Sequence, residues 1–450
     1  MNKKPYVKPT FVKQMAGVMN KFGNSYYKSY KDNIDSAAID TLVDKYGSPL
    51  FVFSEKKLRR QYRDVHEAFS TQYPNVQFSW SYKTNYLGSI CNVFHQEGAT
   101  AEVVSEFEYD KARSHGIAGK DIIFNGPYKG KTGLEKAFTE NAIVNIDNFD
   151  EIVLAESTAK TLNRKVKVGI RLNLDAGIYP QWHKFGFNLE NKQAFEAVKR
   201  IMHSEFLHLN GLHCHIGTFI LDPKAYALQV EKMLVFLQEI ENSFSITIEY
   251  IDIGGGFPSH SRLKGIYLPP DVVIPSINEY ADAICSTMFK FLKPNEYPKL
   301  YLETGRALVD EAGYLITSVV GQKTLPDGVK SYFVDSGINL LYTSTWYNFN
   351  IQPDRQLIGV PEQCKLYGCL CMNIDIIAES VYLPPLPKNS RLVISPVGAY
   401  NTTQWMQFIT YRPAVVMIME QGNCELIRRA EKLEDVTNCE IIPEKLKLSK

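Results

Sequence analysis

About eight or nine short apolar strands alternating with amphipathic helices predict a parallel β/α barrel of the TIM type. A change of texture after Arg306, where helical periodicity fades and short strands alternate with Gly/Pro turns, predicts a second, C-terminal antiparallel β domain. A third observation ties these together: the residue types able to do chemistry fall at the C-terminal ends of the strands, where a barrel gathers them on one face. A doubly wound open sheet fits the same strand count, which by itself does not prove closure.

Residues 1–47 are polar and rich in Lys, Tyr and Asn, and form an extension expected to pack with the β domain. Tyr6-Val-Lys-Pro-Thr-Phe-Val12 reads as a short edge strand or a disordered arm, because two prolines cannot join a central ladder. Strand and helix then alternate through 48–306, the barrel. Ser48-Pro-Leu-Phe-Val-Phe53 leads to a helix over 55–69, and this to the strand Phe78-Ser-Trp-Ser81. Further strands are Thr100–Val104, Asp121–Phe124, Ala142–Ile146, Val166–Leu172, Gly211–Ile216, Ile248–Ile253 and Leu300–Glu303. Amphipathic helices are expected at 149–160, 193–203, 225–241 and 277–291. Residues 307–450 carry Tyr314–Val320, Lys330–Val334, Arg391–Ile394 and Ala414–Ile418 as strands of the β domain.

Composition narrows the function. Lys plus Arg number 50 against 49 for Asp plus Glu, a net charge of +1, which argues against nucleic-acid or membrane-surface binding and toward small-molecule chemistry. No apolar run approaches the about 18 residues that span a bilayer, and the first residues lack a signal-peptide core, so a soluble, cytoplasmic protein is expected. The eight cysteines are scattered without a framework spacing and should be reduced thiols. Cys369-Leu-Cys371 without a second pair is a poor metal signal, so no metal is expected.

The strand ends carry Lys83, Glu102, Arg171, His215, Gly254-Gly255-Gly256, Glu303 and Arg306. A lysine at the mouth of a closed sheet is desolvated, which lowers its pKa and makes it a carbonyl nucleophile; this segment alone favours a snorkelling lysine at a strand end, and the later motifs reverse that preference. Three glycines after a strand expose amides that suit a phosphate, or simply make a tight turn. Arg306 can complete an anion pocket, and Glu303 can hold a pyridine nitrogen protonated. Together the set points to pyridoxal 5'-phosphate, with the ring as an electron sink.

The order of motifs resembles barrel-type (fold type III) pyridoxal-phosphate decarboxylases, most of all the diaminopimelate decarboxylases and then the ornithine decarboxylases. The resemblance is carried by Tyr82-Lys-Thr-Asn85, Val103-Val-Ser-Glu106, Lys184-Phe-Gly186, Gly211-Leu-His-Cys-His-Ile-Gly217, Asp252-Ile-Gly-Gly-Gly256, Glu303-Thr-Gly-Arg306, Gly368-Cys-Leu-Cys371 with Asp375, and Val397-Gly-Ala-Tyr400. It implies that Lys83 forms the Schiff base, His215 stacks on the ring, Glu303 pairs with its nitrogen, and Gly255, Gly256, Arg306, Thr218 and Tyr400 hold the phosphate. It further implies a homodimer with shared active sites, in which Cys371 protonates the carbanion in the partner's site and Lys184 pairs across the dimer with Asp375.

Departures from the pattern speak to the substrate, an amino acid or amino-acid conjugate. The residue after the cysteine, a Glu in diaminopimelate decarboxylases, is Met372, and an Arg-Pro pair there is replaced by Thr343-Ser344. A distal ammonium and carboxylate would be left unpaired, so diaminopimelate is not expected to be the substrate. Thr343, Trp346, Tyr347, Met372, Asp375 and Trp405 are read as a larger, less charged pocket, although some of the aromatics fit an ordinary core equally well. The implied activity is decarboxylation in siderophore, polyamine or antibiotic-type biosynthesis. A racemase on the same barrel is disfavoured by Glu303, since such racemases place an Arg at the ring nitrogen; a non-catalytic relative is the other alternative.

Overall fold

Eight parallel strands close on themselves in the computed structural model, which describes residues 30–178, 180–266 and 268–448. After a first strand β1 (Leu50–Ser54), the barrel is built from β2 (Val76–Ser81), β3 (Thr100–Val103), β4 (Ile122–Phe124), β5 (Ile143–Ile146), β6 (Val166–Asn173), β7 (Leu207–Cys214), β8 (Tyr250–Asp252) and β9 (Lys299–Leu302). Pairing of β7 with β6 on one side and β8 on the other, and of β9 with β2, leaves no edge. Closure excludes the open doubly wound sheet.

Helices cover the outside, and several of them open on a side-chain cap. Ser54 accepts from the Lys57 amide at 3.1 Å and opens Glu55–Ser70; Ser105 accepts from Glu108 at 3.2 Å and opens Glu106–Ser114; Asn148 accepts from Glu151 at 2.9 Å and opens Phe149–Thr161. The helix Glu55–Ser70 buries Tyr62 and Phe69 against Phe78, and Phe94 on the helix Gly88–Gln96 packs on Trp80 with ring centroids 4.2 Å apart.

One expectation needs correction. Leu50–Ser54, placed in the barrel from its position ahead of the first helix, belongs to the second sheet: it runs antiparallel to β10 (Gly313–Thr324) and parallel to β11 (Ala414–Ile418). Its five residues are all buried, and a continuous apolar run cannot say which of two sheets covers it. The second sheet is also not purely antiparallel, since Lys330–Val334 runs parallel to Glu362–Tyr367.

The expected strand at residues 6–12 lies outside the described residues. Within the described part of the extension, helix Ile39–Tyr46 buries Ile39 and Leu42 against Leu50, Val52, Tyr314 and Ile316 of the second sheet. No described helix is long and apolar enough to cross a membrane.

Candidate active site

A cavity of about 510 Å³ opens at the C-terminal ends of the barrel strands. Lys83, in a single helical turn directly after β2, enters it with 37% of its side chain exposed. Its ammonium meets the carboxylate of Glu102 on β3, which also accepts from Ser81 at 2.5 Å and from Asn125 at 3.2 Å. The expectation of a lowered amine pKa is overturned: burial does pull it down, but Glu102, Glu303 and Tyr400 outweigh burial and hold it above its ordinary value.

Opposite the lysine sits a buried acidic cluster. Ligand atoms of Glu303, Asp252 and His213 lie within 4.8 Å of one another, with His213 Nε2 3.4 Å from Glu303. Burial favours the neutral form of both acids, yet they share one charge. His213, Lys83 and the hydrogen bond from Asp252 pull Glu303 well below the usual range, while burial and the Glu303 charge push Asp252 well above it. The outcome is an ionised Glu303 backed by a neutral Asp252.

The glycine triplet does more than expose amides. A Cβ on Gly254, whose φ is +70°, would lie 2.6 Å from the His215 ring, and one on Gly256, φ +99°, would lie 2.5 Å from the Gly217 carbonyl. The amide of Gly254 donates to Asp252 at 2.9 Å and that of Gly255 to His215 Nδ1 at 3.0 Å. Two of the three expected cradle amides are therefore engaged inside the protein; Gly256 lines the cavity. Burial, then the Arg171 and Lys83 charges, lower His215 to about 3, so its ring is neutral.

Arg306 is 6% exposed and ringed by Phe219, Trp346, Tyr347 and Tyr400 at 4.9–5.7 Å. Its Nε and Nη1 are buried without a hydrogen-bond partner, an arrangement whose cost is relieved by an anion. With Thr218, Gly256 and Tyr400 lining the same cavity, this end fits a phosphate. Arg171 also lines it, its guanidinium 3.6 Å from Asp147 and 4.3 Å from the Phe185 ring centroid.

Of the residues assigned to a substrate pocket, Trp346 lines the cavity and the others lie elsewhere. Thr343 is fully buried, its amide and hydroxyl both donating to Asn401 at 3.0 and 3.1 Å. Tyr347 packs behind Arg306, and Trp405 lies against Phe51 with Arg428 and Arg412 over its ring at 4.5 and 5.6 Å. Asp375 is 3% exposed and accepts the Ile338 and Leu370 amides at 2.8 and 2.7 Å, so it organises its own loop. That loop presents Cys371 to solvent, with Met372 half-buried beside it. Residues passed over in the sequence but lining the cavity are Asn125, Trp182, Phe185 and His213, the Trp182 ring lying 5.5 Å from that of His215.

Residues 55–310 match the family described as pyridoxal-dependent decarboxylase, pyridoxal binding domain. Diaminopimelate decarboxylases are among the relatives: that of Methanocaldococcus jannaschii is 29% identical over 433 residues, covering 91% of this chain and 95% of its own, and that of Bacillus subtilis is 28% identical, covering 89% and 93%. The crystal structure of the M. jannaschii enzyme in co-complex with L-lysine superposes with a TM-score of 0.85 at 29% identity, covering 93% of this chain and 98% of that one. A lysine/ornithine decarboxylase from Vibrio vulnificus, at 21% identity and a TM-score of 0.72, shares the fold. The match extends across the whole barrel from its first helix to Asp310, and on it the chain belongs to the pyridoxal-dependent decarboxylase family.

Proposed function

We propose that this pyridoxal-phosphate-dependent decarboxylase acts on an amino acid or amino-acid conjugate that lacks the distal ammonium of diaminopimelate. One observation carries the reading. Among the described residues lining the cavity, the carboxylates are Glu102 and Glu303, and both are engaged, one by Lys83, Ser81 and Asn125, the other by Asn125 and His213. A second ammonium would be desolvated without a partner. The remaining wall is Val104, Pro127, Trp182, Phe185 and Trp346, with Arg171 and Lys184 as cations.

The orphaned donors of Arg306 support Arg306, Thr218, Gly256 and Tyr400 as phosphate holders, and Lys83 as the amine that tethers the cofactor. When bound, the cofactor supplies a protonated ring that withdraws the electron pair left on Cα as carbon dioxide departs. Glu303, ionised and 3.4 Å from His213 Nε2, would hold the proton on the ring nitrogen. Neutral His215 would pack against the cofactor ring without adding charge that would oppose it. The exposure of Cys371 on an outward loop, outside the cavity of its own chain, supports delivery of the Cα proton by the thiol of a second copy, and thus a homodimer with shared sites.

The test is carbon dioxide release by the reconstituted protein from a panel containing meso-diaminopimelate, lysine, ornithine and amino acids with apolar or conjugated side chains. The expected outcome is a kcat/KM at least about tenfold higher for a substrate without a distal ammonium, the cost of roughly one unpaired polar group. Preference for meso-diaminopimelate would refute it.

A further inference from the structure

Asn125, at the C-terminal end of β4, touches both carboxylates of the site. Its Nδ2 donates to Glu102 Oε1 at 3.2 Å and to Glu303 Oε1, and its Oδ1 accepts from Asn145 Nδ2 at 2.9 Å. The Asn145 carbonyl in turn accepts from the Tyr250 hydroxyl at 2.7 Å. The direction of this chain is dictated from its upper end, because an ionised carboxylate can only accept. The Asn125 amide must turn its NH2 upward, so its carbonyl needs a donor below; Asn145 supplies it, and Tyr250 satisfies Asn145.

The barrel is built to admit that relay. Tyr250 stands on β8 in the barrel interior and is 3% exposed, and the neighbouring strands carry glycine where it passes. A Cβ on Gly211 would lie 1.9 Å from the Tyr250 ring, and one on Gly169 would lie 2.2 Å from its hydroxyl and 2.3 Å from Asn145 Oδ1. Any side chain on β6 or β7 at these positions would displace the tyrosine or the asparagine. An apolar filler would close the barrel floor without this requirement; a hydroxyl aimed at an amide that is aimed at two carboxylates is a directed arrangement.

We infer that Asn125 is a positioning residue for the decarboxylase site: it holds Glu102 beside Lys83 and Glu303 at the place of the cofactor ring as two separate carboxylates, with its orientation imposed by Asn145 and Tyr250. The inference rests on the reading of Lys83 and Glu303 as the groups that tether the cofactor and pair with its ring. The groups facing this pair of carboxylates are Lys83 after β2, Ser81 on β2, Glu108 on the helix after β3, His213 and His215 at the end of β7, and Tyr250 and Asp252 on β8, with Tyr400 from the second domain beside Lys83. Removing the amide donors makes both carboxylates more basic and strengthens their pull on a proton at the Lys83 nitrogen, without touching any of those groups.

The experiment uses full-length protein reconstituted with pyridoxal phosphate and compares Asn125→Leu, Asn125→Asp and Tyr250→Phe with wild type. The readouts are the pH titration of the cofactor–lysine absorbance band, the dissociation constant of the cofactor, and the apo-protein Tm. Asn125→Leu, of similar volume, and Asn125→Asp are expected to move the band's midpoint upward by about one pH unit or more and to weaken cofactor binding about tenfold or more. Tyr250→Phe keeps the ring packed, is expected to keep the fold, and moves the midpoint the same way by a smaller amount. Wild-type midpoints in both folded Asn125 variants, or in Tyr250→Phe if neither of them folds, would overturn the inference and leave Asn125 as barrel filling. Survival of a borohydride-reducible band in Lys83→Ala would instead sink the underlying reading of the site, and the two failures are distinguishable.

Discussion

Gly255 donates its backbone amide to Nδ1 of His215 at 3.0 Å, so the ring is oriented by the loop that follows β8 and keeps its Nδ1 lone pair occupied as an acceptor. An imidazole fixed this way at a buried position between Arg171 and Lys83 stays neutral, with its pKa lowered to about 3. The sign of the linkage follows: the unfolded histidine binds a proton near 6.5 and the folded one near 3, so stability falls as pH drops through that window. His215→Gln should flatten the fall in Tm between pH 6.5 and 4, read by thermal unfolding of the apo-protein. His215→Ala should weaken cofactor binding about tenfold through loss of ring stacking, read by fluorescence titration.

Glu102 holds the Lys83 amine protonated in the ligand-free protein, whereas condensation with an aldehyde needs the free amine. Glu102→Gln should therefore speed formation of the cofactor–lysine band at pH 7.5, by about tenfold for each unit its removal takes off the amine pKa. Stopped-flow absorbance gives the rate; an unchanged or slower rate would assign Glu102 another task.

Much of this machinery was readable from spacing alone. Lys83, Glu102, Arg171, His215 and Glu303 sit at strand ends, and closure of a barrel obliges strand ends to converge. The residues that escaped are those defined by long-range partners. Asn125 and Glu303 are 178 positions apart, and nothing near Asn125 distinguishes it from any polar residue after a short strand. Thr343 and Trp405 lie outside the cavity of this chain: Asn401, which accepts from Thr343, and Arg428, which lies over the Trp405 ring, are long-range partners that the local sequence does not reveal. Leu50–Ser54 escaped because full burial erases the alternation that reveals a sheet face.

That division predicts separable effects at Trp346 and Trp405. Trp346→Ala should change KM for the amino-acid substrate severalfold while leaving Tm within a few degrees, because the ring lines the cavity and is 37% exposed. Trp405→Ala should lower stability by about 2–4 kcal/mol with KM unaltered, since its ring packs on Phe51 and shields Arg428. Denaturant unfolding and steady-state kinetics on both variants check the contrast.

Glu108 is 5% exposed and accepts the Val104 amide at 2.8 Å; burial pushes its carboxyl up to about 7 from an ordinary 4.5, the amide pulling the other way. The folded state thus binds the proton more tightly than the unfolded one. Stability from this group is fully present below pH 4.5 and is lost as pH rises through about 7. Glu108→Gln, which keeps an acceptor for Val104, should raise stability at pH 8 by of order 2 kcal/mol and leave it unchanged at pH 4.5. Urea unfolding at the two pH values decides it.

The central claim is that one amine, Lys83, carries the cofactor at the mouth of the barrel beside an ionised Glu303. Borohydride reduction of the reconstituted protein followed by peptide mass mapping tests it most directly. The account predicts a single phosphopyridoxyl adduct on the peptide containing Lys83, with none in Lys83→Ala. An adduct on another lysine, or a protein that takes up no pyridoxal phosphate at all, would contradict it.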